Sequence, residues 1–249
     1  MPVVSPPQPD IALAALDKSA ERIQRMFSAI APVYDLLNHL LSLNIDRSWR
    51  RTTVRLVPPR GTQPILDLCT GTGDLALEYT RAAGDQTPII AADFCAPMLV
   101  RATRKTNRRQ ASRIGYVQAD AMRLPLPSNC FQIVSVAFGL RNVENTDRGL
   151  SEMIRVTQPG GRVAILEFSR PRGTLLSRFY LWYFKYVLPK LGQVISKSGD
   201  QAYRYLPASV LAFPDGEAML ARLRQHGLQQ VWQRPLTFGI ATLYVGMKP

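Results

Sequence analysis

Ile65-Leu66-Asp67-Leu68-Cys69-Thr70-Gly71-Thr72-Gly73-Asp74 decides the fold. Ile65, Leu66 and Leu68 form an apolar run of strand length. Gly71 and Gly73 follow, and glycine lets a backbone turn sharply and come close to a ligand. A helix opens at Asp74 and offers free N–H groups in its first turn. Strand, glycine turn and helix together make a nucleotide-binding corner.

Two ligands fit that corner on spacing. Gly71-Thr72-Gly73-Asp74-Leu75-Ala76 matches the looser dinucleotide fingerprint of glycine, any, glycine, any, any, alanine. Asp93 stands 20 residues beyond Gly73, where an acid would bind a ribose. A dinucleotide, however, puts a pyrophosphate on the helix N-terminus, and the carboxylates of Asp67 and Asp74 flank it here. They would repel the pyrophosphate. S-adenosylmethionine carries no phosphate and presents a sulfonium and an ammonium, so the charges favour it over NAD.

Strands and helices alternate outward from this corner. Leu75 to Arg81 continues the first helix, and Pro88 to Asp93 reads as a second strand with an acidic end. Met98 to about Arg113 reads as a helix. Its Arg101, Arg104, Lys105 and Arg108 fall on one face, expected to be solvated. Ile114 to Ala121 is a third strand; Asp120 there suits an adenine amino group, and Ala121 adds a backbone N–H. Phe131 to Phe138 is a fourth, ending in Gly139-Leu140-Arg141-Asn142, polar groups at the edge where ligands bind. After a helix over Asp147 to Val156, Gly160-Gly161 turns into a strand from Arg162 to Leu166, ending at Glu167. This alternation predicts a parallel sheet with right-handed crossovers.

The flanks divide into further parts. Residues 1–17 read as a Pro-rich tail without fixed structure, residues 18–59 as a helical cap, and residues 60–249 as the catalytic domain. In the cap, Ile23, Met26, Phe27 and Ile30 recur at helical spacing, and Pro32 ends that helix. Tyr34 to Ser42 follows, then a basic helix from Asp46, with Trp49 expected to pack. His39 is one of only two histidines and reads as structural. An insertion at about 171–213 carries an aromatic stretch, Leu175 to Ile195, suited to an apolar lid. Asp215 to His226 reads as a helix ended by Gly227, with closing strands at Val231–Trp232 and Thr242–Val245.

A net charge of +13 points to an anionic partner, nucleic acid or a membrane surface, against the alternative of a solvated basic face. The N-terminus lacks the charge and apolar run of a signal peptide, and no apolar run reaches the ~20 residues of a bilayer span. The three cysteines, Cys69, Cys95 and Cys130, have neither disulfide-framework nor metal-ligand spacing, so no metal is expected and the chain reads as cytoplasmic.

Several blocks, taken in order, resemble the ubiquinone/menaquinone biosynthesis C-methyltransferase family of class I S-adenosylmethionine-dependent methyltransferases. They are Tyr34-Asp35 with Asn38, Ser42 and Trp49; Asp67 to Asp74; Phe138 to Asn142; Arg155-Val156 with Pro159-Gly160-Gly161 and Glu167-Phe168-Ser169; and Tyr203-Arg204-Tyr205-Leu206. The resemblance spans about residues 22 to 247. It implies a Rossmann-like α/β fold and carries a donor site over to Thr72, Asp93, Asp120 and Ala121, beside Asp67, Gly71 and Gly73 of the glycine turn. The departures are Leu37 for methionine, Asp46 for histidine, Ala137 for serine and Gln132 for aspartate.

The same resemblance implies C-methylation of a polyprenylated quinol, with demethylmenaquinol first and a benzoquinol or dual acceptor as the alternative. A reduced quinol pushes electron density onto its ring carbon, and in-line attack on a methyl then needs positioning and a path for a proton. Arg141 and Asn142 are placed to hold the ring oxygens, with Tyr34, Asp35 and Asn38 closing the pocket. A prenyl tail suits the aromatic lid and peripheral membrane docking. An NAD(P)-dependent oxidoreductase is the alternative of another class. Nucleic acid is disfavoured as substrate. Phe138 to Asn142 lacks the Pro-Pro-aromatic grip for a flipped base, and Cys130 precedes the fourth strand rather than ending it.

Overall fold

The computed structural model describes residues 17–35, 42, 44–107, 110, 112–171 and 200–249. Among them seven strands form one sheet: β1 (Ile65–Leu68), β2 (Ile89–Asp93), β3 (Ile114–Gln118), β4 (Phe131–Ala137), β5 (Thr157–Phe168), β6 (Gln229–Leu236) and β7 (Ala241–Met247). The order across the sheet is β3-β2-β1-β4-β5-β7-β6. Strands β1 to β5 are parallel, whereas β7 runs antiparallel to both β5 and β6. All four residues of β1 are buried, as are the first six of β4, because helices cover both faces of a parallel sheet.

The described helices are α1 (Ala20–Ile30), α2 (Ile45–Leu56), α3 (Asp74–Ala82), α4 (Ala96–Lys105), α5 (Thr146–Val156), α6 (Asp200–Ala212) and α7 (Glu217–Gln225). Alternation along the central strands sends side chains to two cores. Leu66, Leu68, Val134, Val163 and Ile165 meet Leu150 and Met153 of α5 and Leu223 of α7. Ile65, Ile133, Ala164 and Leu166 meet Trp49 of α2 and Tyr79 of α3 on the other face. Helix α1 packs on α4 and α6, over the carboxyl edge of the sheet.

Several boundaries differ from the sequence reading. The helix expected to run to Arg113 stops at Lys105, and Arg113 turns back to donate to the carbonyls of Thr80, Ala83 and Gly84 at 3.0, 3.2 and 2.7 Å. Those carbonyls close the end of α3, and a cation suits a helix C-terminus. Lys105 stays exposed on its helix face but is tied to two acids. Its ammonium lies 2.9 Å from Asp35 and 2.6 Å from Asp74. The last two strands are longer than expected, since β7 lies inside the sheet and pairs on both edges. Helix α7 starts at Glu217 rather than Asp215, which instead pairs with Arg170 at 2.7 Å. The aromatic stretch Leu175 to Ile195, residues 1–16, Asn38 and His39 lie outside the described residues. At the far end, Lys248 donates to Asn129 at 2.7 Å and to the carbonyls of Ile154 and Thr157 at 2.8 Å each, tying the chain beyond β7 to the end of α5.

Candidate active site

Strand order reverses between β1 and β4, and ligands bind such sheets at that point. The carboxyl ends of β1 and β4 approach closely there. A Cβ added to Gly139 would stand 2.3 Å from the Cβ of Cys69, so only glycine fits. Cys69 and Phe138 sit on these two strand ends in left-handed backbone at φ 51° and 59°. Non-glycine residues in that region cost roughly 1–3 kcal/mol each and gather at functional sites. The Phe138 ring is held in place by Phe168 at 4.5 Å, Trp49 at 5.8 Å and the Arg50 guanidinium at 5.6 Å. Trp49 is 4% exposed and donates to Thr237 at 2.8 Å, in the packing role expected of it.

A cavity of about 840 Å³, counted to its open mouth, lies along this edge beneath α1. One half is walled by Gly71, Asp93, Phe94, Met98, Asp120 and Ala121. The other half is walled by Ala137, Phe138, Gly139, Asn142 and Glu144. Helix α1 and the turn after it roof the cavity with Ile23, Gln24, Phe27 and Tyr34. Among the expected site residues, Gly71, Asp93, Asp120, Ala121, Tyr34 and Asn142 thus come together. Phe94, Met98, Gln24 and Glu144 carry no motif and were not expected.

Asp93 is held in place by the backbone around it. Its carboxylate accepts from the backbone N–H of Gly71 and of Cys95, both at 2.8 Å, and so fixes the glycine turn to the end of β2. Burial pushes its pKa up, and those N–H groups pull it back. Asp120 accepts from the N–H of Met122 at 2.8 Å. Each carboxylate retains lone pairs for a ligand diol or amine. Asn142 donates to the carbonyl of Phe138 at 3.4 Å, while its Oδ1 is buried with no partner among the described residues. A buried acceptor in this state awaits a donor.

Four expected residues stand behind the cavity wall instead. Asp67 is 1% exposed; it accepts from Thr70 at 2.6 Å and from the N–H of Ala76 at 3.1 Å, and so holds the glycine turn to α3. Burial pushes its pKa up to about 7. Gly73 caps α3 at φ 84°, packed on Ala102. Thr72 donates to Asp35 at 2.5 Å and accepts from Lys105 at 3.1 Å. Arg141 is 6% exposed, with its guanidinium bonded to Glu167 at 2.8 Å and to the carbonyl of Phe138.

The charge argument from sequence is corrected in its residues. Asp67 is buried away from the ligand, and Asp74 is offset by Lys105 at 2.6 Å and Arg50 at 4.0 Å. The acids lining the cavity are Asp93 and Asp120 at the ends of β2 and β3, and Glu144 on the β4 side. Asp46 holds Arg50 one helical turn on, and accepts from Ser42 at 2.7 Å. Gln132 is a buried brace that accepts from the N–H of Arg60 at 2.6 Å and donates to the carbonyl of Gln63.

The sheet, its switch point and this cavity define a class I, Rossmann-like S-adenosylmethionine-dependent methyltransferase. The structure of a Thermotoga maritima protein described as an S-adenosylmethionine-dependent methyltransferase, possibly acting on histamine, has a TM-score of 0.64 at 15% identity, covering 91% of this chain and all of that one. A phosphoethanolamine N-methyltransferase from Haemonchus contortus, in complex with S-adenosyl-L-methionine, has a TM-score of 0.60 at 16% identity, over 81% of this chain and 52% of that one. These likenesses are of fold. The model of the ubiE/COQ5 methyltransferase family matches residues 15–248, and the chain belongs to that family. It is 46% identical to the demethylmenaquinone methyltransferase of Thermus thermophilus over 90% of this chain and 100% of that protein. It is 44% identical to the ubiquinone/menaquinone biosynthesis C-methyltransferase of Geobacter sulfurreducens over 96% of this chain and 93% of that one. Membership sets aside the dinucleotide alternative.

Proposed function

We propose that this enzyme transfers a methyl group from S-adenosylmethionine to a ring carbon of a polyprenylated quinol, with demethylmenaquinol as its first acceptor. One observation carries the reading. A single cavity joins Gly71, Asp93 and Asp120 at the ends of β1 to β3 to Phe138 and Asn142 at the end of β4. The residues present fit the donor: two carboxylates for a diol and an amine, an acidic wall for a cation, and a tight turn at Gly71. When bound, the donor supplies an electrophilic methyl on a sulfonium sulfur. Relatives named for demethylmenaquinone and relatives named for the ubiquinone/menaquinone pair both match this chain closely, so the ring is the finer part of the proposal.

The protein's own part is to bind, orient and dry the reacting pair. Asp93 holds the ribose end and Asp120 the adenine end, with the N–H of Ala121 beside it. Thr72, Gly73 and Asp67 keep the glycine turn in shape. On the acceptor side, the free Oδ1 of Asn142 takes a hydrogen bond from a ring hydroxyl, and Tyr34 closes the pocket from the cap. Arg141 acts one layer back, holding the Phe138 carbonyl and Glu167 so that Asn142 is aimed. Arginine stays protonated and is no base. The charge of +13 and Phe238, 79% exposed, favour an anionic lipid surface, from which a prenylated substrate enters. Among the described residues no helix is long and apolar enough to cross a membrane.

The test is methyl transfer from labelled S-adenosylmethionine to demethylmenaquinol and to a demethoxy-type benzoquinol, each chemically reduced, in detergent. Label in the naphthoquinol alone is the expected result. Label in both makes a dual enzyme, and label in neither, with donor binding intact, overturns the acceptor.

A further inference from the structure

Lys18 stands one residue ahead of the Ser19 cap of α1, half-buried on the cavity wall. Among the described residues no carboxylate lies within ion-pair distance of its ammonium. Asp17 beside it is occupied by the Ser19 N–H at 2.9 Å and by Arg22 at 3.4 Å. The charges that Lys18 feels from other elements are Glu167 at the end of β5, Arg141 in the turn after β4, and Arg222 of α7. Glu144, exposed, shares the cavity wall with it. Tyr205 of α6, its hydroxyl buried without a partner among the described residues, lies in the field of the same Arg141 and Glu167.

These neighbours fix which end of the cavity Lys18 serves. Glu167 and Arg141 belong to the β4–β5 side of β1, opposite the β2–β3 side that carries Asp93 and Asp120. A cation beside the donor would oppose its sulfonium. At the far end it meets the oxygen on which negative charge develops, where a fixed charge counts most. The other polar groups there are poor proton acceptors. Arg141 stays charged and is committed to Glu167, and Asn142 has no basic site. Glu144 is a carboxylate, intrinsically a weaker base than an amine.

We propose that Lys18 is a catalytic residue whose amine takes the hydroxyl proton of the acceptor ring. The inference rests on the quinol reading above. The neutral amine gains the proton and becomes an ammonium beside the new ring oxyanion. The oxygen's electron pair moves into the ring, and the ring carbon bonds to the methyl as the donor's carbon–sulfur bond breaks. The hydrogen on that carbon then leaves to water, and the ring is aromatic again. Burial lowers the pKa of Lys18, more than Glu167 raises it, and Arg141 and Arg222 lower it further. The neutral amine is therefore more populated than in a solvated lysine.

The test uses the full chain with Lys18→Arg, which keeps charge and bulk but cannot accept a proton, and with Lys18→Ala. Removing a general base costs about 10²–10⁴-fold in rate. We expect both variants to bind S-adenosylhomocysteine within twofold of wild type and to lose at least 100-fold in kcat. The acid limb of the pH–kcat profile vanishes in Lys18→Arg, and added methylamine restores part of the rate in Lys18→Ala. Without any donor, 1-naphthol bound to wild type ionises at lower pH, read by ultraviolet absorbance, than naphthol bound to Lys18→Ala. A kcat within threefold of wild type in Lys18→Arg, an acid limb unchanged in that variant, or unshifted naphthol ionisation overturns the role of Lys18. A wild-type enzyme that binds donor yet methylates neither quinol overturns instead the reading beneath it.

Discussion

Replacing Arg141 by alanine separates a supporting from a contacting role. Glu167 is 0% exposed, and its carboxylate accepts from the Arg141 guanidinium at 2.8 Å and from the Arg141 and Phe168 backbone N–H groups, both at 3.2 Å. Removing the cation leaves a buried carboxylate with two backbone donors and no countercharge. Removing one partner of such a pair costs about 3–5 kcal/mol, a large part of a total stability of roughly 5–15 kcal/mol. At about 2–4 °C per kcal/mol for a chain of this size, the melting temperature falls by about 6–20 °C. The double variant Arg141→Met with Glu167→Leu removes both charges at similar volume and is expected to recover most of that loss. The assays are thermal and urea unfolding, with donor affinity measured below the transition. An Arg141→Ala protein within 1 kcal/mol of wild type but inactive would refute the buried-pair argument, and would place the guanidinium on the substrate.

Four further outcomes follow from the same geometry. Asp67 carries a pKa raised from 3.8 to about 7, so the folded state holds a proton that the unfolded chain releases. That contribution is full below about pH 4 and is lost as pH rises toward 7, with a slope of at most about 1.4 kcal/mol per unit; Asp67→Asn, compared with wild type by urea unfolding between pH 4 and 8, should remove it. Gly139→Ala puts a methyl 2.3 Å from Cys69 Cβ and should cost at least about 1–3 kcal/mol in unfolding free energy, relieved in part by Cys69→Gly. Asp93→Ala frees the Gly71 N–H and removes a ligand acceptor, so the S-adenosylhomocysteine dissociation constant measured by calorimetry should rise at least about tenfold. Lys105→Met breaks two partly exposed ion pairs and should cost about 1 kcal/mol or less in thermal unfolding.

Sequence made the sheet and its binding edge readable because both are written in local patterns. The run Ile65 to Leu68, the glycines after it and the acids ending successive strands each lie within a few residues of one another, and their spacing states the geometry. Pairing across long separations was hidden. Lys105 looked like one cation in a basic helix because its partners, Asp35 and Asp74, lie 70 and 31 residues away. Arg141 looked like a substrate ligand because nothing in sequence shows that Glu167, 26 residues on, takes its charge inside the wall. Asp67 looked like a charge for the donor, although its Oδ2 takes Thr70 and Ala76 and its Oδ1 takes Ser135, a capping role with no signature distinct from the motif itself. Lys18 has no motif at all, and only the placement of α1 over the sheet edge brings it to the cavity.

The interior place of β7 has a consequence for synthesis. Residues 241–247 fill the gap between β5 and β6, so those two strands have no edge in common. While the chain emerges from the ribosome, β1 to β5 and their helices can assemble early. The outer edge of β5 from Arg162 to Phe168 then stays open until residue 247 is clear of the exit tunnel. An open parallel-sheet edge is a template for pairing with a neighbouring chain. Nascent chains arrested just before residue 241 should therefore associate with one another on a polysome, whereas chains carrying a C-terminal linker long enough to bring residue 247 out of the tunnel should not.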